Sequence, residues 1–254
     1  MWAALLDLLY PPRCAACDGP GTGLCAACLG GFVRLPSPVC AACGDPLAEV
    51  AAGGRGGAIC AACRLRPPAF VVARSAFIYG GPLRTALHAL KYRGRRDAAA
   101  PLAGRLAALA PPEVVADASA VVPVPLHPAR LAARGFNQAE LLAAALASRL
   151  RLPLLPAALR RVRQETPQVT LDAAARRANV ARAFVPGSAR VHGRIVLVDD
   201  VFSTGATVGA CARALREAGA RDVAVVTLAR AILACPAPSA RHPHNHRAPA
   251  VPGR

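Results

Sequence analysis

Eight of the ten cysteines stand in four CxxC pairs, Cys14/Cys17, Cys25/Cys28, Cys40/Cys43 and Cys60/Cys63. That spacing leaves the first quarter of the chain little freedom. A CxxC turn is tight enough to aim two thiolates at one ion, and two such turns complete a tetrahedral four-sulfur site. Eight sulfurs therefore predict two Zn2+ sites. Four thiolates per ion leave no open coordination position, so both sites are read as structural, not catalytic. Iron–sulfur ligation and thiol redox chemistry are weaker rivals for four paired turns. Joining the turns in sequence, first with second and third with fourth, encloses seven and sixteen residues. An interleaved cross-brace is the alternative. Thiols kept as metal ligands imply a reducing compartment. The opening "MWAALLDLLYPPRC" has no basic start, carries Asp7 in its apolar run and lacks a cleavage site, so it does not read as a signal peptide. No stretch approaches the ~20 apolar residues of a membrane span. A cytoplasmic protein is expected.

After Cys63 the texture changes. "AFVVARSAFIYGG" reads as β-strand, its branched and aromatic residues closing on Gly80 and Gly81. "PLRTALHALKYRG" reads as a helix with an apolar stripe of Leu83, Leu87 and Leu90, stopped by Gly94. A second apolar helix is expected over residues 98–110. A short buried strand, a proline-punctuated turn and a helix follow through Leu150. "RIVLVDD" and "RDVAVVTLAR" read as strands around the helix "TGATVGACARALREAGA". Strands alternating with helices predict a mostly parallel α/β sheet flanked by helices. The expected organisation is a double zinc module over residues 1–68, the α/β domain over 69–234, and a Pro/His-rich tail without packed structure over 235–254. Cys211, among alanines in a helix, reads as a small core residue; Cys235 needs no role.

The stretch Arg194 to Val208, "RIVLVDDVFSTGATV", carries the most chemistry. A buried strand ends in two adjacent carboxylates, Asp199 and Asp200, which repel one another. Ser203, Thr204, Gly205, Ala206 and Thr207 follow, with a helix behind them. Free amides of Gly205, Ala206 and Thr207 at that helix start, with the hydroxyls of Ser203, Thr204 and Thr207, suit a phosphate. Neither GxxxxGK nor GxGxxG is present. A phosphate loop preceded by two acids suits a phosphate beside a diol, as in ribose 5-phosphate. The net charge of +17 favours polyanions, although an arginine-rich composition would give the same excess. An aromatic content of 4% argues against a stacking platform for single strands.

"IVLVDDVFSTGATV" resembles the phosphoribosyl pyrophosphate signature of type I phosphoribosyltransferases. The ordered set of CxxC pairs, "FIYGGPLRTALHALKYRG", "VPVPLHPARLAARGFNQAELLA", "LRRVRQETPQVTLDAAARRANVARAF" and that signature resembles the ComF family (ComF/GntX) over nearly the whole chain except the tail. The resemblance implies a type I phosphoribosyltransferase-like sheet behind a double zinc ribbon. It implies that Asp199 and Asp200 hold the ribose 2- and 3-hydroxyls, and that Ser203 through Thr207 hold the 5-phosphate of phosphoribosyl pyrophosphate, whose pyrophosphate brings Mg2+. By the same analogy Val124 to Leu126, with an unusual peptide, and Arg130 and Arg134 hold the pyrophosphate, and Lys91, Tyr92 and Arg93 contribute to a hood. The stretch from Arg134 to Gln138 closes over the sugar or carries the acceptor, with core packing as the alternative for Phe136. His127 reads as a turn residue before a general base. Arg160, Arg161, Arg163, Arg176 and Arg177 form a loop over the pyrophosphate, a nucleic-acid strip, or a solvated helix. The family is implicated in DNA uptake during natural competence, which would bring single-stranded DNA and a competence helicase as partners. A non-catalytic DNA- or partner-binding protein that keeps the phosphoribosyl site is the alternative to an enzyme.

Overall fold

The computed structural model describes residues 12–21, 23–47, 57–163 and 183–232. In the cysteine-rich segment, α1 (Ala26–Gly30) and α2 (Ala61–Leu65) are single turns, each beginning directly after a knuckle cysteine, Cys25 or Cys60. Next come β1 (Val72–Ile78), α3 (Gly81–Tyr92), α4 (Ala99–Leu109), the short α5 (Pro112–Val115) and β2 (Ala118–Pro123). Then follow α6 (Pro128–Arg134), α7 (Gln138–Leu150), β3 (Leu159–Arg161), β4 (Phe184–Pro186), β5 (Arg194–Phe202), α8 (Ala206–Glu217) and β6 (Asp222–Arg230).

Four strands form one fully parallel sheet in the order β1-β6-β5-β2, while β3 and β4 make a small antiparallel pair. The near-continuous apolar runs of β5 and β6 require cover on both faces, as parallel strands do. On one face Val196, Val198, Ala224 and Val226 meet the leucines of α3, α4 and α7, among them Leu87, Leu102 and Leu146. On the other, Ile195, Leu197, Val223 and Val225 meet Val208, Cys211 and Leu215 of α8. Each leucine so buried contributes roughly 2 kcal/mol.

The outer edge of β1 is covered by the cysteine-rich segment, which blunts an otherwise open sheet edge. The Ile78 amide donates to the Val33 carbonyl at 2.8 Å and the Ala73 amide to the Ala42 carbonyl at 2.7 Å. The Phe32 and Phe77 rings meet edge-on at 5.3 Å.

Several expectations are refined. Only Val72–Ile78 of the expected β stretch is strand; Gly80 instead caps α3 and Pro82 fills its first turn, where a missing amide is harmless. The expected turn after β2 contains a seven-residue helix, α6, because Pro128 stands at its first position with His127 as its cap. The helix expected from Thr204 starts at Ala206. Most of the Ala51–Ala58 interruption, Arg176, Arg177 and the tail from residue 235 lie outside the described residues. Among the described residues, no helix is long and apolar enough to cross a membrane.

Leu197 is fully buried at the centre of the sheet. Leu197→Ala should therefore lower unfolding free energy by about 3 kcal/mol, read from urea denaturation of the zinc-loaded protein.

Candidate functional site

The two sulfur clusters form in sequential order. Cys14, Cys17, Cys25 and Cys28 make one set and Cys40, Cys43, Cys60 and Cys63 the other, each with its sulfurs within 4.8 Å of one another. The cross-brace is thereby excluded. A tetrahedral site with Zn–S bonds near 2.3 Å places sulfurs roughly 3.8 Å apart. The Cys17–Cys25 and Cys43–Cys60 sulfur pairs are each at 3.8 Å. Backbone amides support the thiolates: Cys25 N–H donates to Cys14 Sγ at 3.4 Å and Cys60 N–H to Cys40 Sγ at 3.3 Å. Burial opposes ionisation of Cys14 and Cys40, but these and neighbouring amides outweigh it and bring both thiols down to about 6. Cys28 and Cys63 are pushed up, first by burial and then by the adjacent sulfurs. Four thiols this close do not all ionise without a cation, so the donor set fits zinc and leaves no open position.

The second centre lies at the carboxyl ends of the strands, where open α/β sheets present their crevices. Asp199 and Asp200 are 9% and 4% exposed. Successive strand residues point to opposite faces. Asp200 turns toward α3 and forms an ion pair with Lys91 Nζ. Burial pulls the Lys91 ammonium down, but Asp200 and then Asp199 more than offset it, so its pKa is raised. Asp199 lies on the α8 side, and its Oδ1 accepts the Asp200 amide at 2.8 Å. Burial, reinforced by the charge on Asp200, pushes the Asp199 carboxyl well above the usual carboxylate range. Cys211, fully buried in α8, is raised by burial and then by Asp199; it is the small core residue expected.

The loop that follows has the shape its sequence predicts. Gly205 takes the left-handed conformation at φ 76° and precedes the first turn of α8 without a side-chain cap. A Cβ there would stand 2.8 Å from Phe202 Cζ, so glycine is required for both conformation and space. Thr204 Oγ1 accepts the Ala206 amide at a long 3.4 Å. Ser203 and Thr204 are exposed, whereas Gly205, Ala206 and Thr207 are half-buried. Hydroxyls and first-turn amides thus follow the acids within one short loop.

β2 ends next to this loop, since Val124 N–H donates to the Val198 carbonyl at 2.9 Å. Val124 to Leu126 contains no cis peptide, and its backbone is held instead by Asn137. Asn137 is buried, donates from Nδ2 to the Val124 carbonyl at 3.0 Å and accepts the Ala139 amide at 3.1 Å. It acts as a strap and helix cap. An asparagine directly before an apolar helix was the readable signal. Phe136 packs against the core with the Arg96 guanidinium 4.7 Å above its ring. His127 Nδ1 accepts the Ala129 amide at 3.3 Å, which makes it a turn residue.

Arg134 is brought beside the end of α3: it bonds Gln138 Oε1 and its guanidinium sits 5.5 Å from the Tyr92 ring centre, one residue from Lys91. Arg130 is half-buried on α6, with no ion pair or side-chain hydrogen bond among the described residues. Arg161 does not belong to a solvated strip. It is buried on β3, with its guanidinium 5.2 Å from the Phe184 ring centre, while Arg160 and Arg163 are exposed.

Sequence profiles bear on the same two regions. The double zinc ribbon domain matches residues 5–64 and the phosphoribosyl transferase domain matches residues 137–244. Fold and site together define a phosphoribosyltransferase-like α/β protein with an N-terminal double zinc ribbon. The chain is 34% identical over 240 residues to the DNA utilization protein YhgH of Salmonella typhimurium, covering 89% of this chain and 100% of that protein. It is 39% identical over 115 residues to Competence protein F of Haemophilus influenzae, covering 44% of this chain and 50% of that protein. The chain belongs to the ComF family. Orotate phosphoribosyltransferase from Aeropyrum pernix aligns with a TM-score of 0.32 and 23% identity, over 53% of this chain and 60% of its own.

Metal analysis of the purified protein should find two zinc ions, and Cys40→Ser should leave one while lowering the melting temperature. Lys91→Met strands a buried carboxylate and should cost about 3 kcal/mol of stability by urea unfolding. Adding Asp200→Asn to that variant should restore much of the loss.

Proposed function

We propose that this protein binds phosphoribosyl pyrophosphate at the carboxyl edge of the sheet and transfers the 5-phosphoribosyl group to an acceptor. The observation that carries this reading is the buried pair Asp199 and Asp200 placed directly before the glycine-led start of α8. The acids accept from the ribose 2- and 3-hydroxyls. Ser203, Thr204 and the amides of Gly205, Ala206 and Thr207 hold the 5-phosphate, with the helix dipole favouring the anion. The loop after β2, with Arg130 and Arg134, faces the pyrophosphate.

Asp200 is already paired with Lys91, so the two acids are read as sugar-binding groups and not as direct metal ligands. Mg2+ would enter on the pyrophosphate and neutralise charge on the leaving group. As the bond between the anomeric carbon and the pyrophosphate oxygen breaks, positive charge grows on the sugar. Asp199 and Asp200 steady the sugar through its hydroxyls as that charge grows, while Arg130 and Arg134 stabilise the departing anion.

The relatives' names, DNA utilization protein and Competence protein F, support a role in competence and DNA utilization. The net charge of +17 and the exposed Arg160 and Arg163 favour a companion activity, contact with the phosphate backbone of single-stranded DNA.

Calorimetric titration with phosphoribosyl pyrophosphate and Mg2+ should show binding that falls at least about tenfold when Asp199→Ala and Asp200→Ala are combined, the loss expected when the carboxyl–hydroxyl contacts are removed. Equal affinity in the folded variant would refute the site. Labelled donor screened against bases, amines and ammonia should then give pyrophosphate release dependent on one acceptor class.

A further inference from the structure

The closed zinc sites look remote from any chemistry, yet one buried side chain joins the second of them to the phosphate loop. Arg230 ends β6 and is 4% exposed. Its Nη1 donates to the Cys43 carbonyl at 2.7 Å, its Nε donates to Asp45 Oδ1 at 3.0 Å, and its Nη2 lies 3.7 Å from Cys43 Sγ. The other side of the same guanidinium faces Phe202, with Cζ 4.3 Å from the ring centre. Phe202 is itself buried, held edge-on by Phe70 at 6.2 Å, and its carbonyl accepts the Ala231 amide at 2.8 Å. Gly205 rests on that ring with no space for a Cβ. A knuckle of the zinc site, a planar cation, an aromatic ring and the pivot of the loop are therefore in unbroken contact.

We propose that Arg230 is a positioning residue through which the zinc site of Cys40, Cys43, Cys60 and Cys63 sets the conformation of the phosphate loop. This rests on reading that loop as the cradle of the 5-phosphate. A zinc ion fixes the Cys43 knuckle, so its carbonyl and sulfur stay where the guanidinium fork needs them. Arginine suits this place because its flat, permanently charged head can bond along its edge and stack on its face at once. When the site opens, Arg230 loses two acceptors while still buried, moves to recover them, and removes the cover from Phe202. The ring then shifts beneath Gly205, and the amides of Ala206 and Thr207 lose their common direction. Loss of zinc would thus weaken phosphate binding although no cysteine touches the ligand.

The test uses the full chain in four forms: unaltered, Arg230→Met, Cys60→Ser, and both together. Two readouts are taken, hydrogen exchange of residues 202–208 and titration with phosphoribosyl pyrophosphate. Each single variant should exchange about tenfold faster in that segment and bind about tenfold more weakly, the effect of roughly one charge-assisted hydrogen bond. The combined variant should add little to either change, because both substitutions break one path. Arg230→Lys, which keeps the charge but only one donor nitrogen and no planar face, should fall between; it carries the comparison if Arg230→Met does not fold. A folded Arg230→Met protein that holds two zinc ions and matches the unaltered chain in both readouts would overturn the proposal, as would effects that multiply in the combined variant. An affinity loss without faster exchange would also overturn it, since the ligand would then sense Arg230 directly. If the unaltered protein fails to bind the donor but the exchange pattern holds, the coupling stands and the donor assignment falls.

Discussion

Two carboxylates buried side by side at the end of β5 are the constraint around which the rest of the molecule is arranged. Burial disfavours both charges and each charge disfavours the other. The fold separates them by strand alternation and treats them differently. Asp200 is given a cation, Lys91, from the last turn of α3. Asp199 is given its neighbour's amide and an environment that favours its proton. For Lys91 to arrive there, α3 must begin and stop where it does, which makes Gly80, Pro82 and the left-handed Gly94 part of the site's construction.

The two zinc ribbons buttress this arrangement from different sides. The first leans on the α3–α4 region: α1 packs against α3, and the Gly23 amide donates to Asp97 at 3.2 Å in the turn before α4. The second meets the end of β6 through Arg230 and so stands under the loop after β5. A small parallel sheet of four strands has two vulnerable features, an open edge and a crevice at its carboxyl end. The cysteine-rich segment covers the first and braces the second. The module is thus continuous with the site's support.

Much of this was legible beforehand. The CxxC spacing announced two four-sulfur sites because the turn itself dictates the geometry. The apolar runs of β5 and β6 announced a sheet covered on both faces because no polar alternation was left for solvent. The loop from Ser203 to Thr207 announced a glycine-led helix start flanked by hydroxyls, because glycine, hydroxyls and a helix start act locally. Less legible were residues whose partners are distant in sequence. Asn137 read as a candidate ligand contact, whereas its amide straps Val124. Arg161 read as part of a basic strip, whereas an aromatic ring and burial hold it inside. Lys91 was legible only as a residue near the site; that it is the counter-ion that makes Asp200 tolerable was not.

The division has a physical basis. Sequence alone determined the features that depend on backbone turns and periodicity over a few residues: the knuckles, the parallel strands, the glycine pivot and the acids before it. Tertiary structure alone decided the electrostatic partners, because a charge is satisfied by whatever the fold brings within a few ångströms. The sequential pairing of the knuckles, the Lys91–Asp200 ion pair and the Arg230 bridge are of that second kind. None follows from local spacing, and together they decide how the two acids and the loop are held.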